Sequence, residues 1–258
     1  MDLQIKNQYF IVGGAGSGFG KAIALALAGE GAKVLAVSRT GSKLVEIQNR
    51  FPEDIEMLEG DITSNALQDK ILTWTNGKRL AGVLVNAGGP PAGGFFNIDM
   101  GQWEEAWRMV VKWKIAFTRK LMPLFQKQKY GRIVFIESVS VKQPVENLIL
   151  SNALRPAIVG FAKTLAQEVA RFGITANVLA PGYHATPALE RLFIRNSELK
   201  GISYNEAKKE FEEDIPVGKM ATADEMASIA LWLLSPLSRY VTGQTITHDG
   251  GTVRGVFG

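Results

Sequence analysis

YFIVGGAGSGFGKAIALALA, residues Tyr9 to Ala28, decides the fold. A short run of β-forming residues enters a glycine-rich turn, and the turn opens into an alanine- and leucine-rich helical stretch. Gly14, Gly18 and Gly20 let the backbone turn tightly, approach a pyrophosphate and seat the helix against the strand. The helix N-terminus then faces the negative charge. Ala15, Ser17 and Phe19 complete the turn.

Outward from this unit, β-like runs alternate with helical segments, the pattern of a parallel sheet covered on both faces. Strands are expected at Tyr9 to Val12, Lys33 to Ser38, Ile55 to Leu58, Gly82 to Val85, Arg132 to Ile136, Thr175 to Leu179 and Thr245 to Thr247. Helices are expected at Phe19 to Glu30, Lys43 to Arg50, Asn65 to Trp74 and Gln102 to Gln128, in a segment ending near Phe172, and at Thr222 to Leu234. Right-handed crossovers place ligands beyond the carboxyl ends of the strands. One domain spanning all 258 residues accommodates this pattern. The stretch from about residue 183 to 216 breaks the rhythm with two helical pieces, Ala188 to Phe193 and Tyr204 to Glu213, as a substrate-covering lid would.

Composition excludes several classes. The chain has no cysteine, which removes disulfides, thiolate zinc sites and cysteine nucleophiles, and no metal site is expected. The apolar run AIALALA, Ala22 to Ala28, is too short to cross a bilayer, and the opening MDLQIKNQYFIV lacks the features of a signal peptide. A cytoplasmic protein without a membrane partner is expected. Net charge is only +4, and the acid-free span between Glu105 and Glu137 reads as a long helix with its bases toward the negative end, so no nucleic-acid partner is expected.

The glycine spacing, GxxxGxG with Gly13 in front of it, resembles that of the short-chain dehydrogenase/reductase family, in which a threonine usually stands at the Gly13 position. The likeness continues through GDIT (Gly60 to Thr63), VNAG (Val85 to Gly88), GRIVFIESVS (Gly131 to Ser140) and ITANVLAPGYHATP (Ile174 to Pro187). PVGKMATADEMASIALWLLS and VTGQTITHDGG resemble the closing signature of β-ketoacyl-acyl-carrier-protein reductases. The resemblance implies a Rossmann-like, doubly wound α/β sheet of about seven parallel strands with helices on both faces. It also implies adenine contacts from Asp61 and Ile62, contacts to the adenine and ribose from Asn86, Ala87 and Gly88, and a nicotinamide site lined by Pro181, Gly182, His184 and Thr186. The family's usual homodimer or homotetramer is implied too, paired through the long helix and its successor, with Trp103, Trp107, Trp113 and Phe161 as candidate apolar contacts.

Cofactor choice follows from charge. An acid at the end of the second strand accepts from a ribose 2′-hydroxyl and repels a 2′-phosphate. Here that end reads VSRT: Ser38 takes the acid's place, and Arg39 and Thr40 follow with donors suited to phosphate, so NADP(H) is expected over NAD(H).

The resemblance also defines what is missing. Its members use a tyrosine as general acid or base, a lysine four residues later that lowers the phenol pKa and holds the ribose, a serine thirteen residues before the tyrosine, and an asparagine on the preceding long helix. Ser138 fits the serine, but Ser151 stands at the tyrosine position, Arg155 at the lysine and Val110 at the asparagine. Arg155 keeps a cation for the ribose; Ser151 is shorter and far less acidic than a phenol. Pro156 implies that the helix starts with Ser151 or Asn152 as N-cap. His184 is the substitute acid suggested by position, and strand alternation sets Glu137 on the opposite face from Ser138.

Two functions fit these residues. One is an NADP(H)-dependent oxidoreductase, 3-oxoacyl-carrier-protein-reductase-like, acting on a small carbonyl or alcohol with an atypical proton-transfer group. The other is a catalytically silent nucleotide-binding sensor, scaffold or partner subunit. On the first, restoring Tyr, Lys and Asn at 151, 155 and 110 raises turnover.

Overall fold

The strand and helix alternation closes into a seven-stranded sheet whose strands run, from edge to edge, 55–59, 33–38, 9–13, 80–85, 131–136, 174–181 and 245–248, every neighbouring pair parallel. The computed structural model describes residues 2–256. The strands are β1 (Tyr9–Gly13), β2 (Lys33–Ser38), β3 (Ile55–Glu59), β4 (Leu80–Val85), β5 (Gly131–Ile136), β6 (Ile174–Pro181) and β9 (Thr245–His248). A separate parallel pair joins β7 (His184–Ala185) to β8 (Ala221–Thr222). The chain winds outward from β1 to β3, returns to β4 beside β1, and winds the other way, so the topological switch lies between β1 and β4.

Two cores follow from the two faces. On one, Phe10 and Val12 pack with α1 (Gly18–Gly29), α2 (Gly41–Gln48) and α9 (Ala223–Leu234). On the other, Ile11 and Phe135 meet α3 (Asn65–Trp74), α5 (Trp113–Gln128) and α6 (Ile149–Val169). Continuous burial along β4, β5 and β6 is what a parallel sheet covered on both sides demands.

The expected long helix is divided. It starts at α4 (Met100–Trp107), where Asp99 and Gln102 cap each other in a capping box, with Asp99 Oδ1 accepting from the Gln102 amide at 2.8 Å. A π-helical turn, Arg108–Lys112, then joins α4 to α5 and carries the buried Val110. Several bases of the acid-free span have individual partners: Arg108 faces Glu104 and Glu105, Lys120 bonds Asp69 at 2.7 Å, and Arg132, on β5, donates to the Ser235 and Gly173 carbonyls. Trp113 is core, its indole N–H on the Met109 carbonyl at 2.7 Å, whereas Trp107 is exposed.

Helix α6 corrects the reading of Pro156. It begins at Ile149, so Pro156 lies well inside it rather than in the first turn. Ser151 is likewise helical, and Asn152 is not the cap. Its side chain instead clamps the preceding loop, accepting from the Val145 amide at 3.1 Å and donating to the Val145 carbonyl at 2.8 Å. Inside a helix proline removes a hydrogen bond at a cost of about 3 kcal/mol. Burial of Ile158, Ala162, Ala166 and Val169 against the sheet offsets it.

Between β7 and β8 the chain forms α7 (Pro187–Lys200), longer than expected, and α8 (Tyr204–Glu213). Together with the loop after α8 they build a small apolar cluster of Leu189, Phe193, Ile215 and Met220, with Tyr183 and Phe211 packed against it.

Candidate active site

The carboxyl ends of β1 to β6 gather most of the residues singled out from sequence, and α6 brings Ser151 and Arg155 to them. After β1, the turn is held to β2 by the Ala15 amide on the Val37 carbonyl at 2.9 Å. Gly14 adopts a φ of 66°, and a Cβ there would meet Asn86 Nδ2 at 2.7 Å; Gly20 packs so closely on the Gly14 carbonyl that no side chain fits. Asn86 locks the arrangement by donating from Nδ2 to the Gly13 carbonyl at 3.2 Å. Ser17, the N-cap of α1, makes no side-chain capping bond, and the first turn holds no acid, so this N-terminus suits an external anion.

Along the rim, Arg39 is exposed, with Nη2 3.8 Å from where a Cβ on Gly88 would stand. Ser38 Oγ accepts from the Thr40 amide at 3.4 Å. Asp61 shapes the turn after β3 by accepting from the Thr63 amide at 2.9 Å, while Ile62 enters the core. Ala87 packs against the α5–α6 core. On the far side, the segment after β6 folds over the glycine turn. Pro181 is buried and pairs with His248 in the sheet register, Gly182 bonds the His248 carbonyl at 3.0 Å, and the Thr186 methyl lies 3.7 Å from a Cβ position on Gly18. A dinucleotide fits this cradle: the glycine turn and α1 for the pyrophosphate, Arg39 for a 2′-phosphate.

His184 is buried and packs edge-on against Phe19, ring centroids 5.0 Å apart. Its Nδ1 lies 3.1 Å from the Gly182 carbonyl, so that nitrogen carries the proton, and Nε2 accepts from His248 Nδ1 at 2.8 Å. Both ring nitrogens are thereby engaged with protein, and burial holds the imidazole below its ordinary pKa.

At the reacting end, Ser138 Oγ accepts from the Ser140 amide at 3.2 Å. Helix α6 brings Ser151 and Arg155 one turn apart, with Arg155 Nε donating to Ser151 Oγ at 3.4 Å. Two residues that the tetrad positions did not include join them. Glu137, wholly buried, accepts from Arg155 Nη1 at 2.9 Å on one carboxylate oxygen and from Lys114 Nζ on the other. Strand alternation had set Glu137 aside, but the face opposite Ser138 is the one on which α5 and α6 pack. Lys114, four residues after Val110, carried one available signal: a lysine at helical spacing among positions due for burial. Burial holds its ammonium below the ordinary lysine range, with Glu137 opposing and Arg155 adding to the effect.

Switch-point topology, a glycine turn at the head of α1 and a rim cation define a dinucleotide-binding protein of the doubly wound α/β class. A family model described as enoyl-(acyl carrier protein) reductase matches residues 14–253. Relatives include a 3-oxoacyl-[acyl-carrier-protein] reductase of Aquifex aeolicus, 26% identical over 97% of this chain and 99% of its own length. Dehydrogenase/reductase SDR family member 6 of Rattus norvegicus is 30% identical over 96% of this chain and 98% of its own. Among solved structures, an NADPH-dependent reductase involved in bacilysin biosynthesis superposes with a TM-score of 0.90 at 25% identity, covering 97% of this chain and 100% of that one. The chain belongs to the short-chain dehydrogenase/reductase family.

Proposed function

We propose that the protein is an NADP(H)-dependent oxidoreductase that reduces a small carbonyl compound or oxidises the corresponding alcohol. The observation that carries this is the cofactor rim, where Arg39 stands over Gly88 and no acid follows β2. Family membership and the NADPH-dependent relatives support it over a silent nucleotide-binding role. When bound, the dinucleotide supplies or takes the hydride. The chain does the rest: Gly14, Ala15, Ser17, Gly18, Phe19 and Gly20 seat the pyrophosphate, Ser38, Arg39 and Thr40 the 2′-phosphate, and Asp61, Ile62, Asn86, Ala87 and Gly88 the adenosine. Arg155, Pro181, Gly182, His184 and Thr186 surround the nicotinamide end, and Ser138 and Ser151 face the substrate oxygen. Helices α7 and α8, within residues 183–216 of this single-domain chain, close over the substrate.

Calorimetric titration tests the reading. NADPH binds more tightly than NADH, and Arg39→Ala weakens NADPH selectively by about 1.5–3 kcal/mol, the worth of a charge-assisted hydrogen bond. Equal affinities for the two dinucleotides in the unaltered protein overturn the assignment.

We also propose a homodimer or homotetramer assembled through α4–α5 and α6, with exposed Trp107 in the contact and Trp113 excluded from it by its burial. Light scattering at micromolar concentration is expected to give a multiple of the chain mass, and a monomer contradicts it.

A further inference from the structure

We propose that Glu137 and Lys114 are positioning residues for the reacting end of the site: they hold Arg155 so that its guanidinium polarises the Ser151 hydroxyl toward the substrate oxygen. This rests on the oxidoreductase reading. Three charges from three elements, α5, α6 and the residue beyond β5, meet where solvent barely reaches; the Glu137 and Lys114 side chains are 0% and 4% exposed. Burying such a cluster costs as much as or more than filling the space with apolar side chains. Packing does not call for it, since α5 and α6 already dock on the sheet through Phe117, Leu121, Ile158 and Ala162.

What the cluster achieves is orientation. With Nη1 of Arg155 committed to Glu137, Nε faces Ser151 Oγ at 3.4 Å and Nη2 lies 2.8 Å from a Cβ position on Gly89. A hydroxyl oxygen that accepts from a guanidinium keeps its own proton for another partner and is made more acidic by the adjacent charge. That suits a donor to an oxygen on which negative charge develops. Glu137 is itself anchored by Lys114, whose ammonium also donates to the Ile136 carbonyl at 3.2 Å.

The cluster also titrates. The charges acting on Lys114 are Glu137 and Arg155; neighbouring β4 is apolar throughout, and Asp69 of α3 is taken by Lys120. Two cations and one anion give a net charge of +1. When Lys114 loses its proton the cluster becomes neutral, Glu137 balances Arg155 alone, and Ser151 is polarised less. The loss comes below the ordinary lysine value of 10.5 because the ammonium is buried.

Lys114→Met and Lys114→Arg test this with two readouts. In denaturant unfolding of the protein without cofactor, a lysine with a depressed folded pKa takes up its proton on unfolding. Stability of the unaltered protein relative to Lys114→Met therefore rises as pH climbs from the folded pKa to 10.5. In NADPH-driven reduction of a β-ketoacyl thioester or a 1,2-diketone, the unaltered protein loses kcat over the same range. Lys114→Met is at least ~10-fold slower at pH 7 with little change in the KM for NADPH, and its profile lacks that alkaline limb. Lys114→Arg, which keeps the charge, retains the rate and also lacks the limb. The double variant Glu137→Gln/Lys114→Met keeps the net charge of the cluster and guards against misfolding; it is slow as well, because Arg155 has lost its anchor. Identical pH–stability curves for the unaltered protein and Lys114→Met, together with a Lys114→Met rate profile that keeps the alkaline limb, overturn the proposal. So does a Lys114→Met enzyme with full kcat. Absence of turnover with every carbonyl substrate while the stability linkage persists defeats the oxidoreductase reading, and the positioning role falls with it.

Discussion

Glu137→Gln is expected to destabilise the fold by about 3–5 kcal/mol, the usual cost of leaving buried charge without its partner. Lys114→Met is expected to cost less than that, because the two remaining charges stay paired and the desolvation of a buried ammonium is relieved. The asymmetry follows from the connectivity. Glu137 is the one anion between two cations, so removing its charge leaves the Lys114 ammonium and the Arg155 guanidinium repelling each other in a low-dielectric space. Removing Lys114 leaves a neutral Glu137–Arg155 pair with its 2.9 Å bond and relieves the desolvation of an ammonium. In a chain of this size the Glu137 change corresponds to a fall in Tm of roughly 6–20 °C. Urea unfolding of both variants at pH 7 checks the ordering, and equal costs mean that the three residues do not act as one balanced unit.

The strands were legible because burial on both faces of a parallel sheet leaves short apolar runs bounded by glycine and polar residues, and Lys33–Ser38 matches its expected span. The glycine turn was legible because its constraint is local: Gly14 and Gly20 have no room for a Cβ. Pro156 misled because a local rule met a tertiary override. A proline is placed by its helix propensity in the first turn, yet packing of α6 on the sheet, with Asn152 clamping Val145, carried the helix start back to Ile149. The Lys114–Glu137–Arg155 cluster was invisible for a different reason. Its members are 23 and 18 residues apart in sequence, and no periodicity reports that two helix faces and a strand end converge. Only the burial expected at position 114 hinted at it, and a lysine on a long helix is ordinarily assigned to solvent.

Restoring the family residues Ser151→Tyr, Arg155→Lys and Val110→Asn is expected to leave the enzyme no faster than the unaltered protein, contrary to the reading of the sequence alone. A lysine at 155 faces a buried carboxylate, and its ammonium is drawn to Glu137 instead of being free to lower the pKa of a phenol at 151. An asparagine at 110 enters an apolar π-helical turn, where an unpartnered amide costs about 1–3 kcal/mol. The same change removes the Arg155–Ser151 contact on which the existing site depends. Adding Glu137→Ala and Lys114→Met to the triple variant frees the ammonium, and the five-fold variant is expected to exceed the triple by ~10² to 10⁴-fold, the contribution of a positioned acid–base group. His184 is not counted as the proton donor in these variants, because both imidazole nitrogens are already bound within the protein. Steady-state kcat/KM for ketones, diketones and β-ketoacyl thioesters with NADPH reads all of these variants. A triple variant that by itself outruns the unaltered protein by such a factor would show that Glu137 does not compete for position 155, and the buried cluster would then be a bystander to the chemistry.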